Sequence, residues 1–133
     1  LLAKIALIRE SLGRIQTRRL LSLDEFLNDA DARDVVVLDF QNAIQGCIDI
    51  ADHLIADQEW GVPGSAGEAI DKLSEHGVIA PTDGETYKSM IRFRNLMVQA
   101  YAKTDYRQVY SIMKAGIQAI ERYIDAIAAY CKL

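Results

Sequence analysis

The stretch DVVVLDFQNAIQGCIDIADHLIA, residues 34–56, decides the fold. Its opening VVVLDF, Val35 to Phe40, reads locally as a strand because three β-branched residues stand together. The continuation reads otherwise. Phe40, Ala43, Ile44, Cys47, Ile48, Ala51, Leu54 and Ile55 recur at helical spacing over a length that no ordinary strand reaches. One long helix from about Asp34 to Ala56 is therefore expected.

Upstream, Leu2, Ile5, Ile8, Leu12 and Ile15 recur at intervals of three and four, which predicts an amphipathic helix. Ser22 and Glu25 form an S-x-x-E capping box, where each side chain satisfies a free backbone N–H at a helix entrance, so a short helix starts there. Downstream, DQEWGVPGSAGEA holds the densest Gly and Pro of the chain and predicts a loop, closed by a second capping box of Ser65 and Glu68. The helix that follows reaches His76, with Gly77 placed as a left-handed terminator. Pro81, Thr82 and Glu85 open the next helix, expected to run to about Ala102. Thr104 or Asp105 caps the last, whose inward face is Val109, Ile112, Met113, Ile117, Ile120, Tyr123, Ile124, Ile127 and Cys131. The fold class is all-α, a helical bundle, and at 133 residues the chain has room for a single domain over residues 1–133.

Composition narrows the function. A net charge of −4 argues against broad, non-specific nucleic-acid binding, although a local basic patch could still dock an RNA. Two such patches stand out: Lys4, Arg9, Arg14, Arg18 and Arg19 near the start, and Lys88, Arg92, Arg94, Lys103 and Arg107 late in the chain. Cys47 and Cys131 lie in apolar helical pattern without metal-ligand spacing and are expected to be buried thiols; neither a metal nor a cofactor is expected. No run approaches the roughly 18 apolar residues of a membrane span. The opening residues lack a basic n-region and a small-residue cleavage site, which fits the cytoplasm. The chain starts on Leu1 rather than Met, as expected if residues before it were cleaved or trimmed.

Candidate chemistry concentrates in MIRFRNLMVQAY, residues 90–101. On a helix Phe93, Leu96, Met97 and Ala100 share an arc of roughly 100°, the expected core face. Arg94, Asn95, Gln99 and Tyr101 occupy the other side, where Asn95 and Gln99 stand one turn apart. Ile91 and Val98 share that polar arc, which suggests an interface. This stretch resembles the signature of HepT-like toxins of the HEPN superfamily, R-N-x3-H-x-Y. Arg94, Asn95 and Tyr101 match it, and Gln99 stands in the histidine's place. The similarity extends over roughly residues 35 to 130.

The resemblance implies a HEPN-like, up-down bundle of four to five helices that forms a homodimer across the motif helix. It further implies a metal-independent endoribonuclease acting on RNA, partnered by an MNT-type nucleotidyltransferase antitoxin that adds AMP to the motif tyrosine, here Tyr101. Residue chemistry agrees with such roles. Metal-free RNA cleavage needs a group that moves a proton at the 2′-hydroxyl or the leaving oxygen, and another that holds the added charge on the phosphate. The permanently charged, planar fork of Arg94 suits the second task, and Asn95 could orient a neighbour. Histidine normally performs the first. Gln99 does not titrate, so this version is expected to keep the fold and the binding surface while being weak or inactive as a nuclease. The alternative is a non-catalytic helical module that presents its cleft to a nucleotide or to a nucleotidyltransferase. His53, one turn after Asp49, could share a hydrogen bond with it and support the cleft. His76 is expected to face the free carbonyls at its helix end. Trp60 is expected to anchor its loop, and Tyr106 and Tyr110 to be core or interface aromatics.

Overall fold

The computed structural model describes residues 1–99 and 104–133, the side chains of residues 98 and 99 excepted. Six helices occur among these: α1 (Leu2–Arg18), α2 (Leu23–Leu27), α3 (Ala30–Asp57), α4 (Ala66–Glu75), α5 (Pro81–Gln99) and α6 (Tyr106–Cys131). The four long ones form the bundle, and the short α2 and α4 bridge them.

Side-chain contacts give the directions. Arg14 of α1 meets Asp39 of α3 while Ile8 meets Gly46, so α1 and α3 run antiparallel. Phe40 lies against Gly116 and Cys47 against Tyr123, which sets α6 parallel to α3. Tyr87 meets Tyr123 and Met90 approaches Gly116, so α5 opposes α6. The order is up, down, up, down, as expected.

Helix α3 begins at Ala30, one turn before the expected Asp34. The reason is a cap: the Asp29 carboxylate accepts from the Ala32 N–H at 3.0 Å, and Asp31 adds a negative charge in the first turn. Val36, Phe40, Ala43, Ile44, Ile48, Ile50, Ala51, Leu54 and Ile55 are all buried, which makes α3 the central helix. Its outward stripe is Leu38, Asn42, Gln45 and Asp52, with Asp49 half-buried among them.

The first capping box is built as read, whereas in the second the Glu68 carboxylate reaches past Ser65 to accept from the Gly64 N–H at 2.6 Å. Ser22 Oγ accepts from the Glu25 N–H at 3.1 Å, and Ser65 Oγ accepts from the Glu68 N–H at 3.1 Å. Gly77 adopts φ +73°, the left-handed conformation that ends α4. His76 departs from expectation: its ring stacks on Trp60 at 3.9 Å and 3°, with Tyr130 at the indole edge, so two aromatic faces outweigh the helix-end carbonyls. Trp60 is thereby the anchor of its loop. Tyr110 packs on the fully buried Phe26 and donates to the Leu21 carbonyl at 2.7 Å, fixing α2 onto α6. Tyr106 lies under the Arg33 guanidinium, 4.7 Å from ring centroid to Cζ. Cys47 and Cys131 are free and half-buried rather than sealed in the core. Poor solvation nevertheless pushes the Cys47 thiol up to about 12.

Close approach of α3 and α6 depends on Gly116. A Cβ there would stand 2.9 Å and 3.1 Å from two ring carbons of Phe40, whose ring is 1% exposed. Overpacking costs about 1–3 kcal/mol, against about 1 kcal/mol of better helix propensity. Gly116→Ala is therefore expected to lower unfolding stability by up to about 2 kcal/mol in urea titrations, with the m-value unchanged.

Candidate functional site

Helix α5 carries the motif, and its inward face is not the one its local periodicity suggests. Gly84, Tyr87 and Ile91 face the core, and Met97 is buried as well. Leu96, expected inside, is 60% exposed, while Phe93 is half-buried. Ile91, read as a sign of an interface, instead packs among Ile44, Ile48, Ile70, Ile120 and Tyr123. A window over residues 93–100 alone misses that α5 is flanked by α3 and α4 on one side and α6 on the other. A helix so enclosed buries about half its circumference.

Arg94 is three residues from both Ile91 and Met97, hence about 60° from each on the wheel, in the middle of that buried half. Its side chain is half-buried accordingly. Nη2 donates to Gln45 Oε1 at 2.7 Å across to α3, and Nε is shielded from solvent with no hydrogen-bond partner among the described residues. Gln45 Nε2 in turn donates to Asp49 Oδ1 at 2.9 Å, one turn further along α3. Asp49 also faces Asp52, whose carboxyl is raised by burial first and by the Asp49 charge second.

The charge balance of this chain of contacts matters. Arg14 is committed to the buried Asp39 at 2.9 Å, and Lys88 to Asp71 at 3.0 Å and Glu85 at 3.3 Å. Among the described residues no carboxylate lies within salt-bridge distance of Arg94. Its partner is a neutral amide, so its full positive charge is held in place without being cancelled. Such a group can accept an anion, with a phosphate oxygen pair the natural fit for the fork.

The other expected site residues fall as follows. Asn95 is exposed on the next position of α5. Gln99 ends α5, and its side chain lies outside the described residues, as does Tyr101. Asp49 reaches the site through Gln45. His53 is exposed, and the Asp49 carboxylate pairs not with it but with the Gln45 amide, one turn the other way along α3. From Gln45, His53 is eight residues along α3, about 12 Å. Sequence reading missed Gln45. The signal was present as a polar pair, Gln45 and Asp49, at i,i+4 on the solvent side of an otherwise apolar helix.

Bordering the motif helix is an apolar groove of about 280 Å³ between α3, α5 and α6, lined by Phe40, Ile44, Met90, Phe93 and Ile112. No helix among the described residues is long and apolar enough to cross a membrane.

The chain is thus an all-α, up-down bundle of four long helices, the third of which carries Arg94 at the site. The family profile described as Ribonuclease HepT-like matches residues 8–127, and the chain belongs to that family. The mRNA nuclease HepT of Shewanella oneidensis is 29% identical over 126 residues, covering 95% of this chain and 94% of that protein. The tRNA nuclease HepT of Aphanizomenon flos-aquae is 24% identical over 127 residues, 96% of this chain and 86% of that one. Among solved structures, the tri-AMPylated Shewanella oneidensis HEPN toxin in complex with MNT antitoxin superposes with a TM-score of 0.88 at 29% identity, covering 96% of both chains. The resemblance drawn from Arg94, Asn95 and Tyr101 is thus borne out at the level of family and fold.

Proposed function

We propose that this chain is the toxin half of a HEPN–MNT toxin–antitoxin pair, an RNA-directed, metal-independent endoribonuclease by descent whose proton-transfer position holds Gln99. The observation that carries the reading is Arg94: a half-buried guanidinium fixed by Gln45 with its charge uncancelled, at the arginine position of the family motif. In this reading Arg94 binds the scissile phosphate and Asn95 orients a neighbour. Gln99 supplies hydrogen bonds without titrating, so cleavage is weak or absent. No cofactor takes part, and the single domain works in the cytoplasm. Asp49 supports the cleft through Gln45.

Two partners follow. A second copy meets this one across the motif helix, a reading supported by the exposed Leu96 and by the apolar groove at Met90 and Phe93. An MNT-type nucleotidyltransferase is the antitoxin, with Tyr101 as acceptor of AMP. Incubation with such an enzyme and ATP is expected to add adenylate masses in intact-protein mass spectrometry, and Tyr101→Phe to abolish them. Unchanged labelling of the phenylalanine form would remove Tyr101 from this role. Gln99 itself favours a second reading, a non-catalytic module that engages a nucleotide or the nucleotidyltransferase. The histidine variant described below separates the two.

A further inference from the structure

We infer that Gln45 is a positioning residue for phosphate recognition, holding the Arg94 guanidinium in place while leaving its charge free; this rests on the reading of Arg94 as the phosphate-binding group. Gln45 belongs to a different helix, 49 positions away in sequence, and its Oε1 lies 2.7 Å from Arg94 Nη2. The amide's orientation is chemically determined. A guanidinium only donates and an ionised carboxylate only accepts, so Oε1 must face Arg94 and Nε2 must face Asp49, as the 2.9 Å contact to Oδ1 requires. Asp49 therefore sets the amide, and the amide sets the arginine.

The choice of an amide has a consequence that a carboxylate would reverse. Glutamate at position 45 would hold the same Nη2 but cancel the charge that a phosphate must meet, and it would stand one turn from Asp49 as a like charge. An apolar residue would leave the charge but free the side chain, whose immobilisation the RNA would then have to supply on binding. Geometry and charge are thus separable by two substitutions at one exposed helical position, where neither is expected to disturb the fold.

The test uses the full chain, a fluorescein-labelled single-stranded RNA read by anisotropy, and the Arg94 Nε–H resonance of ¹⁵N-labelled protein, all well below the melting temperature. Arg94→Ala is expected to weaken RNA binding by about 10-fold or more. Gln45→Ala is expected to weaken it by about three- to tenfold and to broaden or move the Nε–H signal as the side chain is freed. Gln45→Glu is expected to keep that signal sharp and yet lose at least as much affinity. That split is one a merely structural residue would not produce. Binding that falls for Arg94→Ala but holds for Gln45→Ala or Gln45→Glu overturns the role of Gln45 alone. Unchanged binding by Arg94→Ala overturns the phosphate reading, and the proposal with it.

Discussion

Gln99→His is expected to raise the rate of RNA cleavage by about 10²- to 10⁴-fold, the range that general acid–base catalysis contributes. The reason is proton transfer alone. A carboxamide at the end of α5 reaches as far as an imidazole and forms hydrogen bonds, but it neither accepts nor releases a proton near neutral pH, whereas imidazole does both. Arg94 is already held from α3, by Gln45. Cells induced for the histidine form should stop growing and lose intact RNA, while the protein as it stands should do neither. The gain should also depend on pH in the imidazole range, and Arg94→Ala in the histidine background should remove it. If the histidine form leaves total RNA intact and growth unaffected, the nuclease reading gives way to the binding module.

How far the sequence anticipates the structure differs between fold and site, for physical reasons. Helices are legible because their signals are local: the serine caps at Ser22 and Ser65, one left-handed glycine and a 3.6-residue period each act within a few residues. The early start of α3 is not visible from periodicity, since Asp29 shows itself as a cap only when the Ala32 N–H is seen to reach it. The inward face of α5 was misjudged because three neighbouring helices, not one, decide which side is buried. This moved Ile91 into the core and Leu96 out of it. Arg94 is found through the motif, whereas the i,i+4 pair of Gln45 and Asp49 is visible in the sequence but its contact with Arg94, across 49 positions, is not. His53 is eligible by its spacing to Asp49, yet the carboxylate pairs with Gln45, which stands at the same spacing on the other side.

Tyr123→Ala should be the most damaging of the single core substitutions considered, lowering stability by about 3–5 kcal/mol, the range for removing a large buried aromatic side chain. Against a typical total of about 5–15 kcal/mol that is a third of the stability or more. Tyr123 is fully buried, its ring meets the Tyr87 ring edge-on at 5.0 Å and 83°, and its hydroxyl donates to the Cys47 carbonyl at 2.7 Å. It therefore ties α6 to both α5 and α3. Burial holds its phenol well above the ordinary range, so it stays neutral and the hydrogen bond does not vary with pH over the working range. Tyr123→Phe isolates that bond. Cys47 lies inside α3, where the helical ladder already gives its carbonyl a donor, so no orphan acceptor remains and the cost should be about 1 kcal/mol. The two variants should then differ at the site as well. Gln45 is two residues from Cys47, and its reach to Arg94 depends on how α3 and α5 sit, both of which touch the Tyr123 side chain. The phenylalanine form should bind RNA as the parent does, whereas the alanine form should bind less well even where circular dichroism shows it folded. Denaturant titrations in which Tyr123→Phe lost as much as Tyr123→Ala would mean that the hydroxyl, not the ring, carries the junction.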